Sequence, residues 1–475
     1  MACSQTASGF RCFTALRSRR GLTSVARAAA GPTAAYVHLP FCKRKCFYCD
    51  FPVEAVGLNT EKPRTQDRMQ AYVDLVCAEV KATRSLTDAP LTTVSFGGGT
   101  PSLVPPQLLE SILSALQQQF GIAAGAEVSI EADPGTFDLQ RLLQYKALGV
   151  TRVSMGVQSF QEDLLKACGR SHSLADVYAA IEAVTATGLP SWSLDLISGL
   201  PGLSLQGWQH SLQQAVAAGP DHISVYDLQV EEGTPFARWF SGEGSPLPKE
   251  PEAVAMFEAA SATLTAAGYE HYEISNYAKP GHRSKHNQVY WQCQPYYAFG
   301  LGAASYTRGR RFSRPRGMQE YEAWVKRFVQ GGAGCPAAEL PVESKEEQLL
   351  DVIMLSLRLS DGLALQQLQQ QYGQETVAAL LPTIQGFLQQ GLMQVLPCDA
   401  EDVQQAGDAI VPGLSGSSGT VEVDADAAYM QLCDRLQRGK DVSVRLTDPA
   451  GFLLSNDVIS ELFAQLDSRT LSKAV

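Results

Sequence analysis

Cys42, Cys46 and Cys49 stand in one short run, Tyr-Val-His-Leu-Pro-Phe-Cys-Lys-Arg-Lys-Cys-Phe-Tyr-Cys-Asp-Phe, residues 36–51. Three thiolates this close can ligate three irons of one [4Fe–4S] cluster and leave the fourth iron without a protein ligand. Clusters that only pass electrons are capped by four Cys. An open iron can instead hold a small molecule and inject an electron into it. Zinc is the rival reading, but a structural zinc site takes four ligands, usually as two separated Cys pairs. No second pair lies near this run.

The spacing of three residues, then two, with an aromatic before the last Cys, resembles the radical S-adenosylmethionine (SAM) signature. Other residues suit the same ligand. The run Gly97-Gly98-Gly99-Thr100-Pro101-Ser102 lets backbone pass close to a bound molecule and offers it N–H groups. Glu131, Gln158, Arg170 and Asp195 are candidates for the methionine and ribose parts of SAM. Carboxylates suit an ammonium or ribose hydroxyls, and Arg suits a carboxylate bidentately. From spacing alone, each could equally be a surface residue or a helix cap.

These residues need a frame that gathers them. Apolar or β-branched runs predict strands at 35–39, 92–96, 127–130, 151–157, 192–197 and 222–229. Helical periodicity lies between them, near 66–85, 106–120, 138–148, 174–187 and 205–217. Six strands separated by helices predict parallel βαβ units in an α/β fold, a wholly or partly closed barrel. Cys42, the triglycine, Glu131 with Asp133, Gln158 and Asp195 each come at or just after a strand's end, the active face of such barrels. After about residue 245 the rhythm changes, and helical patterns at 346–359, 377–390 and 450–465 predict a small, mainly helical C-terminal domain.

At 475 residues, 45% hydrophobic and 18% charged, the chain reads as globular and too long for one ordinary core. A net charge of -11 argues against nucleic acid as a main partner. No stretch has the 18 or so apolar residues that a membrane helix needs. The remaining Cys show no paired spacing, which predicts reduced thiols. The first 30 residues hold five Arg, many Ser, Thr and Ala, and no acid; the first acidic residue is Asp50. That composition resembles an organellar transit peptide over residues 1–31, with the chloroplast stroma favoured and the mitochondrial matrix as the alternative. Residues 397–425, acidic and Ala-rich with a Gly-Ser run, predict a disordered insertion.

The chain also resembles, along nearly its whole length, the radical SAM family that joins oxygen-independent coproporphyrinogen III oxidases and HemW-type haem chaperones. The matching pieces include Tyr36–Phe51, Gly97–Ser102, Glu131–Gly135, Arg152–Phe160, Gly169–His172, Asp195–Gly202, Tyr226–Phe236, Tyr269–Tyr306 and Leu446–Leu454. The resemblance implies a partial (β/α)6 barrel over 32–240. Residues 241–340 would complete it, and 341–475 would form the C-terminal helical domain. It implies that Cys42, Cys46 and Cys49 hold the cluster. It implies that Tyr36, Tyr48, Gly98, Gly99, Thr100, Glu131, Gln158, Arg170 and Asp195 contact SAM.

Two features choose the branch. The oxidases carry a fourth Cys two residues after the third, where this chain has Phe51, and a longer arm before the motif. His286-Asn287-Gln288-Val289-Tyr290-Trp291 matches the His-Asn-x-x-Tyr-Trp motif associated with haem in the chaperones. Imidazole is a standard haem ligand and aromatic rings pack on porphyrin faces; a hydrogen-bonded structural role for His286 is the rival. The expectation is a chaperone that binds haem through His286, Asn287 and Tyr290 and passes it to organellar haemoproteins, with an electron donor serving the cluster. The alternative is oxidative decarboxylation of coproporphyrinogen III by a 5′-deoxyadenosyl radical.

Overall fold

The computed structural model describes residues 31–240, 245–332, 334, 336, 341–396 and 424–466. The expected transit segment lies outside the described residues except for Gly31. The expected insertion lies outside them except for Asp424 and Ala425, which cap and begin a helix.

Six parallel strands follow one another in sequence and in space: β1 (Ala34–Leu39), β2 (Leu91–Gly98), β3 (Ile122–Ala132), β4 (Arg152–Gln158), β5 (Ser191–Ser198) and β6 (His222–Asp227). Helices α1 (Pro63–Ala82), α2 (Pro106–Phe120), α3 (Leu139–Ala147), α4 (Glu162–Ala167), α5 (Leu174–Thr187) and α6 (Leu205–Ala218) connect them. Crossovers of this kind suit parallel pairing, and each helix buries an apolar face on the sheet. Local chemistry sets the helix ends. Pro begins α1 and α2, a Ser173–Asp176 capping box starts α5, and Gly188 and Gly219 end α5 and α6 in the left-handed conformation.

The sheet extends beyond the six expected strands. After α7 (Pro235–Trp239) and α8 (Glu250–Ala266), β7 (Glu270–Glu273) and β8 (Asn276–Ala278) add an antiparallel pair beside β6. Strand β9 (Tyr297–Phe299) pairs parallel with β1 on the other edge. The nine strands, ordered β9-β1-β2-β3-β4-β5-β6-β8-β7, form a partial barrel. Its outward-facing residues, such as Val37, Phe96, Ile130, Val153 and Leu194, carry the apolar core under the helices. Its inward-facing residues are polar: Tyr36 and His38, Thr93 and Ser95, Glu127 and Glu131, Arg152 and Ser154, Ser193 and Asp195, His222 and Ser224. Strand periodicity therefore separates a packed outer layer from a polar lumen.

Helix α9 (Lys285–Trp291) and the residues before it close the N-terminal end of that lumen. The backbone N–H groups of Lys285 and His286 donate to Glu127 at 3.2 and 3.0 Å. Arg152 Nη1 donates to the His282 carbonyl at 3.0 Å.

A hairpin of β10 (Ala304–Thr307) and β11 (Arg310–Ser313) and helix α10 (Met318–Gln330) lead to a second apolar core. It is built from α11 (Lys345–Leu357), α12 (Leu365–Tyr372), α13 (Gln374–Gln389), α14 (Ala425–Gln437) and α15 (Ser455–Ala464). The region is mainly helical, as expected, with one addition. A small antiparallel sheet joins the helices, with β14 (Ser443–Leu446) between β12 (Leu363–Ala364) and β13 (Met393–Leu396). Residues 450–465 also do not form one helix: Ala450–Leu453 and α15 are separate.

Candidate functional site

A cavity of about 410 Å³ opens at the C-terminal ends of β1–β6. Cys42, Cys46 and Cys49 line it together with Tyr48, Gly98, Gly99, Thr100, Glu131, Gln158, Arg170 and Asp195. The fold thus brings eleven of the expected cluster and SAM residues, spread over more than 150 positions, to one place. Tyr36 is the exception. It does not line the cavity; its ring lies in the lumen beside Gly97, where the Glu131 carboxyl also approaches.

The thiol loop is fastened at several points. Phe41-Cys42 pairs with Glu54-Ala55. Phe47 N donates to Cys168 O at 3.0 Å, Lys43 Nζ to Gly135 O at 2.6 Å, and Arg316 Nη2 to Asp50 O at 2.7 Å. His38 braces it from below: Nε2 lies 3.0 Å from Pro52 O, and Nδ1 lies 3.1 Å from Tyr36 Oη. A carbonyl can only accept, so Nε2 carries the proton and Tyr36 donates to Nδ1. Burial lowers the His38 pKa to about 4, which keeps this ring neutral near pH 7.

Gly98 sits against that ring. Its φ is +109°, and a Cβ there would fall 2.3 Å from His38. Gly98→Ala is therefore expected to cost roughly 1–3 kcal/mol in backbone strain alone and to displace His38, seen as a lowered urea midpoint and reduced iron uptake.

The site holds opposite charges in a confined space. Burial, with Asp195 and Asp133 nearby, raises Glu131 to about 7, against the donation of Gly98 N at 3.0 Å. Burial raises Asp195 to about 6, although the Ser154 hydroxyl donates to both its oxygens at 3.2 Å. Arg170 donates to Asp133 Oδ1 at 2.5 Å, to Gly156 O at 2.8 Å and to Cys46 Sγ at 3.2 Å. Two buried polar atoms on cavity residues have no partner in the protein, Gln158 Oε1 and Arg170 Nε. Gln158 also takes a left-handed φ of +68°, rare for a side-chain-bearing residue and common at functional sites. Strained backbone and orphaned polar atoms around one cavity fit a polar ligand.

The thiols fit a cluster. Burial pushes Cys42 up to about 12 and raises Cys49, so binding metal through these thiols releases protons. Among the described residues, no three His, Cys, Asp or Glu side chains converge tightly enough for one metal ion. Three cysteine side chains facing one cavity are the donor type that an iron–sulfur cluster takes.

Sequence reasoning placed Asp133 at a strand end without a role and passed over His38 and Ser154. The available signal was the strand's two-residue period, which puts His38 on Tyr36's face and Asp133 on Glu131's.

The haem-motif residues lie at the opposite, N-terminal end of the barrel. His286 is buried on α9, with Nδ1 2.8 Å from Thr93 Oγ1 and Nε2 2.8 Å from Tyr290 Oη. Burial lowers its pKa to about 3. Both ring nitrogens are engaged, and Asn287 and Trp291 are half-buried. The motif and the thiols do not share a cavity. The polar lumen joins them, with Tyr290 and Tyr36 both within electrostatic reach of Glu131.

Residues 36–215 match the radical SAM superfamily and residues 344–395 the HemN C-terminal domain. The chain is 42% identical over 437 residues to "Heme chaperone HemW" of Synechocystis sp., covering 92% of this chain and 97% of that one. It is 33% identical over 346 residues to "Radical S-adenosyl methionine domain-containing protein 1, mitochondrial" of Bos taurus, covering 71% and 75% of the two chains. Among solved structures, the coproporphyrinogen III oxidase (HemN) of Escherichia coli, a radical SAM enzyme, superposes with a TM-score of 0.66 at 21% identity. That overlap covers 94% of this chain and 92% of the oxidase, and it establishes the shared fold.

Proposed function

We infer function from one premise: the chain belongs to the HemW family of radical SAM proteins. On that premise we propose a haem chaperone that carries a [4Fe–4S] cluster and SAM at one end of its barrel and takes haem through α9 at the other. The observation that carries this reading is the coexistence of a three-thiol cavity at one mouth with the His286–Trp291 motif at the other. Cys42, Cys46 and Cys49 hold the cluster. Tyr48, Gly98, Gly99, Thr100, Glu131, Gln158, Arg170 and Asp195 surround SAM, and Tyr36 stands beside Glu131 in the lumen. When bound, an open-iron cluster supplies an electron and a coordination position to SAM. The chain's own residues supply charge and shape. Glu131 and Asp195 accept from cationic or hydroxyl groups, and Gly98 and Gly99 leave room for backbone contact.

This charge arrangement has a pH signature. SAM is cationic at its ammonium and sulfonium, and it prefers ionised carboxylates. Glu131 and Asp195 are raised to about 7 and 6. SAM affinity should therefore fall as pH drops through 7 and 6, and approach its plateau near pH 8. Glu131→Gln should flatten the upper part of this profile and weaken binding at pH 8 by roughly tenfold. Calorimetric titration of the reconstituted protein across pH checks both.

Haem presents a different requirement. As folded, the His286 imidazole is spent on Thr93 and Tyr290. To ligate iron it must give up one of them, and α9 must shift outward. The deciding experiment is an anaerobic haem titration of the reconstituted protein, followed in the Soret region, beside His286→Ala. Binding by the wild type with a loss of at least tenfold in the variant supports the proposal; identical binding by both removes His286 as ligand. Phe51 replaces the fourth Cys of the oxidases, and no protoporphyrinogen is expected from the reduced protein with SAM and coproporphyrinogen III.

The Arg-rich, acid-free residues 1–31 and the mitochondrial relative support an organellar location, with haemoproteins there as recipients. The chloroplast stroma remains our preferred compartment on composition. No helix among the described residues is long and apolar enough to cross a membrane.

A further inference from the structure

Asp133 contacts no thiol, yet each of its oxygens meets a donor that does. Oδ1 lies 2.5 Å from Arg170 Nη2, and Arg170 Nη1 lies 3.2 Å from Cys46 Sγ. Oδ2 lies 3.4 Å from Thr100 Oγ1, which lies 3.6 Å from Cys42 Sγ. One carboxylate stands behind two of the three thiols.

The two arms work differently. Arg170 has separate N–H groups for Asp133, for Gly156 O and for Cys46, so the ion pair aims the sulfur contact without using it up. Thr100 has a single hydroxyl proton, and Asp133 and Cys42 compete for it. The arrangement is enclosed at its Arg170 end, while the Asp133 side chain keeps 21% of its exposure. The Arg170 side chain is 6% exposed, and a Cβ on Gly156 would fall 2.9 Å from Asp133 Oδ1. Hydrogen bonds to the sulfurs and local net charge are principal levers on the potential of an iron–sulfur cluster.

We propose that Asp133 is a positioning residue that sets the cluster's reduction potential, by aiming Arg170 at Cys46 and holding the Thr100 proton away from Cys42. This rests on the reading that the three thiols carry a cluster. The sign follows from the two arms. Asp133→Asn keeps an oxygen for Arg170, removes a negative charge beside the cluster and leaves the Thr100 proton to Cys42. Each change favours the added electron, so the midpoint rises. Arg170→Gln removes a cation and a sulfur donor, so the midpoint falls. Thr100→Val changes little while the carboxylate holds the proton, and cancels part of the rise once Asp133 is Asn.

The test is stepwise anaerobic reduction of the reconstituted full chain with dithionite, followed by electron paramagnetic resonance, with iron and sulfide assayed on every sample. A raised midpoint in Asp133→Asn, lowered again by adding Thr100→Val, is the expected result. A wild-type midpoint in iron-replete Asp133→Asn overturns the proposal, as does an equal Thr100→Val shift in both backgrounds. Should Asp133→Asn fail to load iron, Arg170→Gln decides: a fall in midpoint supports the proposal and an unchanged midpoint overturns it. Wild type without iron or sulfide is a separate outcome that removes the cluster reading and the proposal with it.

Discussion

Replacing any one of Cys42, Cys46 and Cys49 by Ser is expected to reduce iron from about four per chain to near none, with the chain still folded. The three thiols come from a single loop after β1, and no other Cys lines the cavity. A cluster held by three protein ligands loses a third of its anchorage with each substitution, and a hydroxyl is far harder to ionise than a thiol. Cys168 supplies the control. It is buried near Cys46, and burial raises its thiol to about 12, but it does not face the cavity. Cys168→Ser should keep full iron. Burial also raises Cys42 and Cys49, so loading releases protons and iron should be held more tightly at pH 8 than at pH 7. Iron and sulfide assays with circular dichroism separate cluster loss from unfolding.

The cavity was legible in the sequence because most of its parts obey one rule: Cys42, the triglycine, Glu131, Gln158 and Asp195 sit near the end of a strand whose apolar run is visible, whereas Arg170 follows α4. Glu131, Gln158 and Asp195 end β3 and β4 or lie on the last half of β5, and the parallel fold does the gathering. Asp133 and His38 were harder to assign because their importance comes from particular partners, Arg170 with Thr100 for Asp133, and Pro52 with the same-strand Tyr36 for His38. Strand β9 was illegible for a different reason. It is three residues long, and its partner β1 lies more than 250 residues earlier in the chain. The small C-terminal sheet hides likewise in strands of two to four residues, too short for a two-residue period to stand out. The motif at 286–291 was visible as a pattern, but spacing could not say which mouth of the barrel it closes. Its placement opposite the thiols gives the barrel two separate sites joined by a polar lumen.

The largest stability effect should come from a buried pair that no motif announced. Glu79 on α1 and Arg314 after β11 are 0% and 1% exposed, and Arg314 Nε donates to Glu79 Oε1 at 2.7 Å. Glu79 Oε2 accepts from Gly300 N at 3.0 Å and Tyr321 Oη at 2.6 Å; Arg314 Nη1 donates to Ser305 Oγ at 2.6 Å. Removing one partner leaves the other charge buried without its counter-ion, so Arg314→Met should cost about 3–5 kcal/mol. Glu79→Leu should cost a similar amount. Replacing both removes the stranded charge, and the double variant should be more stable than either single one, with a coupling of roughly 1–3 kcal/mol in a urea-denaturation cycle. The pair also bears on the site. Leu301, next to Gly300, donates to Tyr72 Oη at 2.9 Å, and Tyr72 donates to His38 O at 2.8 Å. The backbone of β1 behind the thiol loop thus hangs on the same network. Iron loss in the single variants should begin at lower urea than in wild type, and the double variant should recover part of both effects together. Recovery of stability without recovery of iron retention would separate the network from the thiol loop.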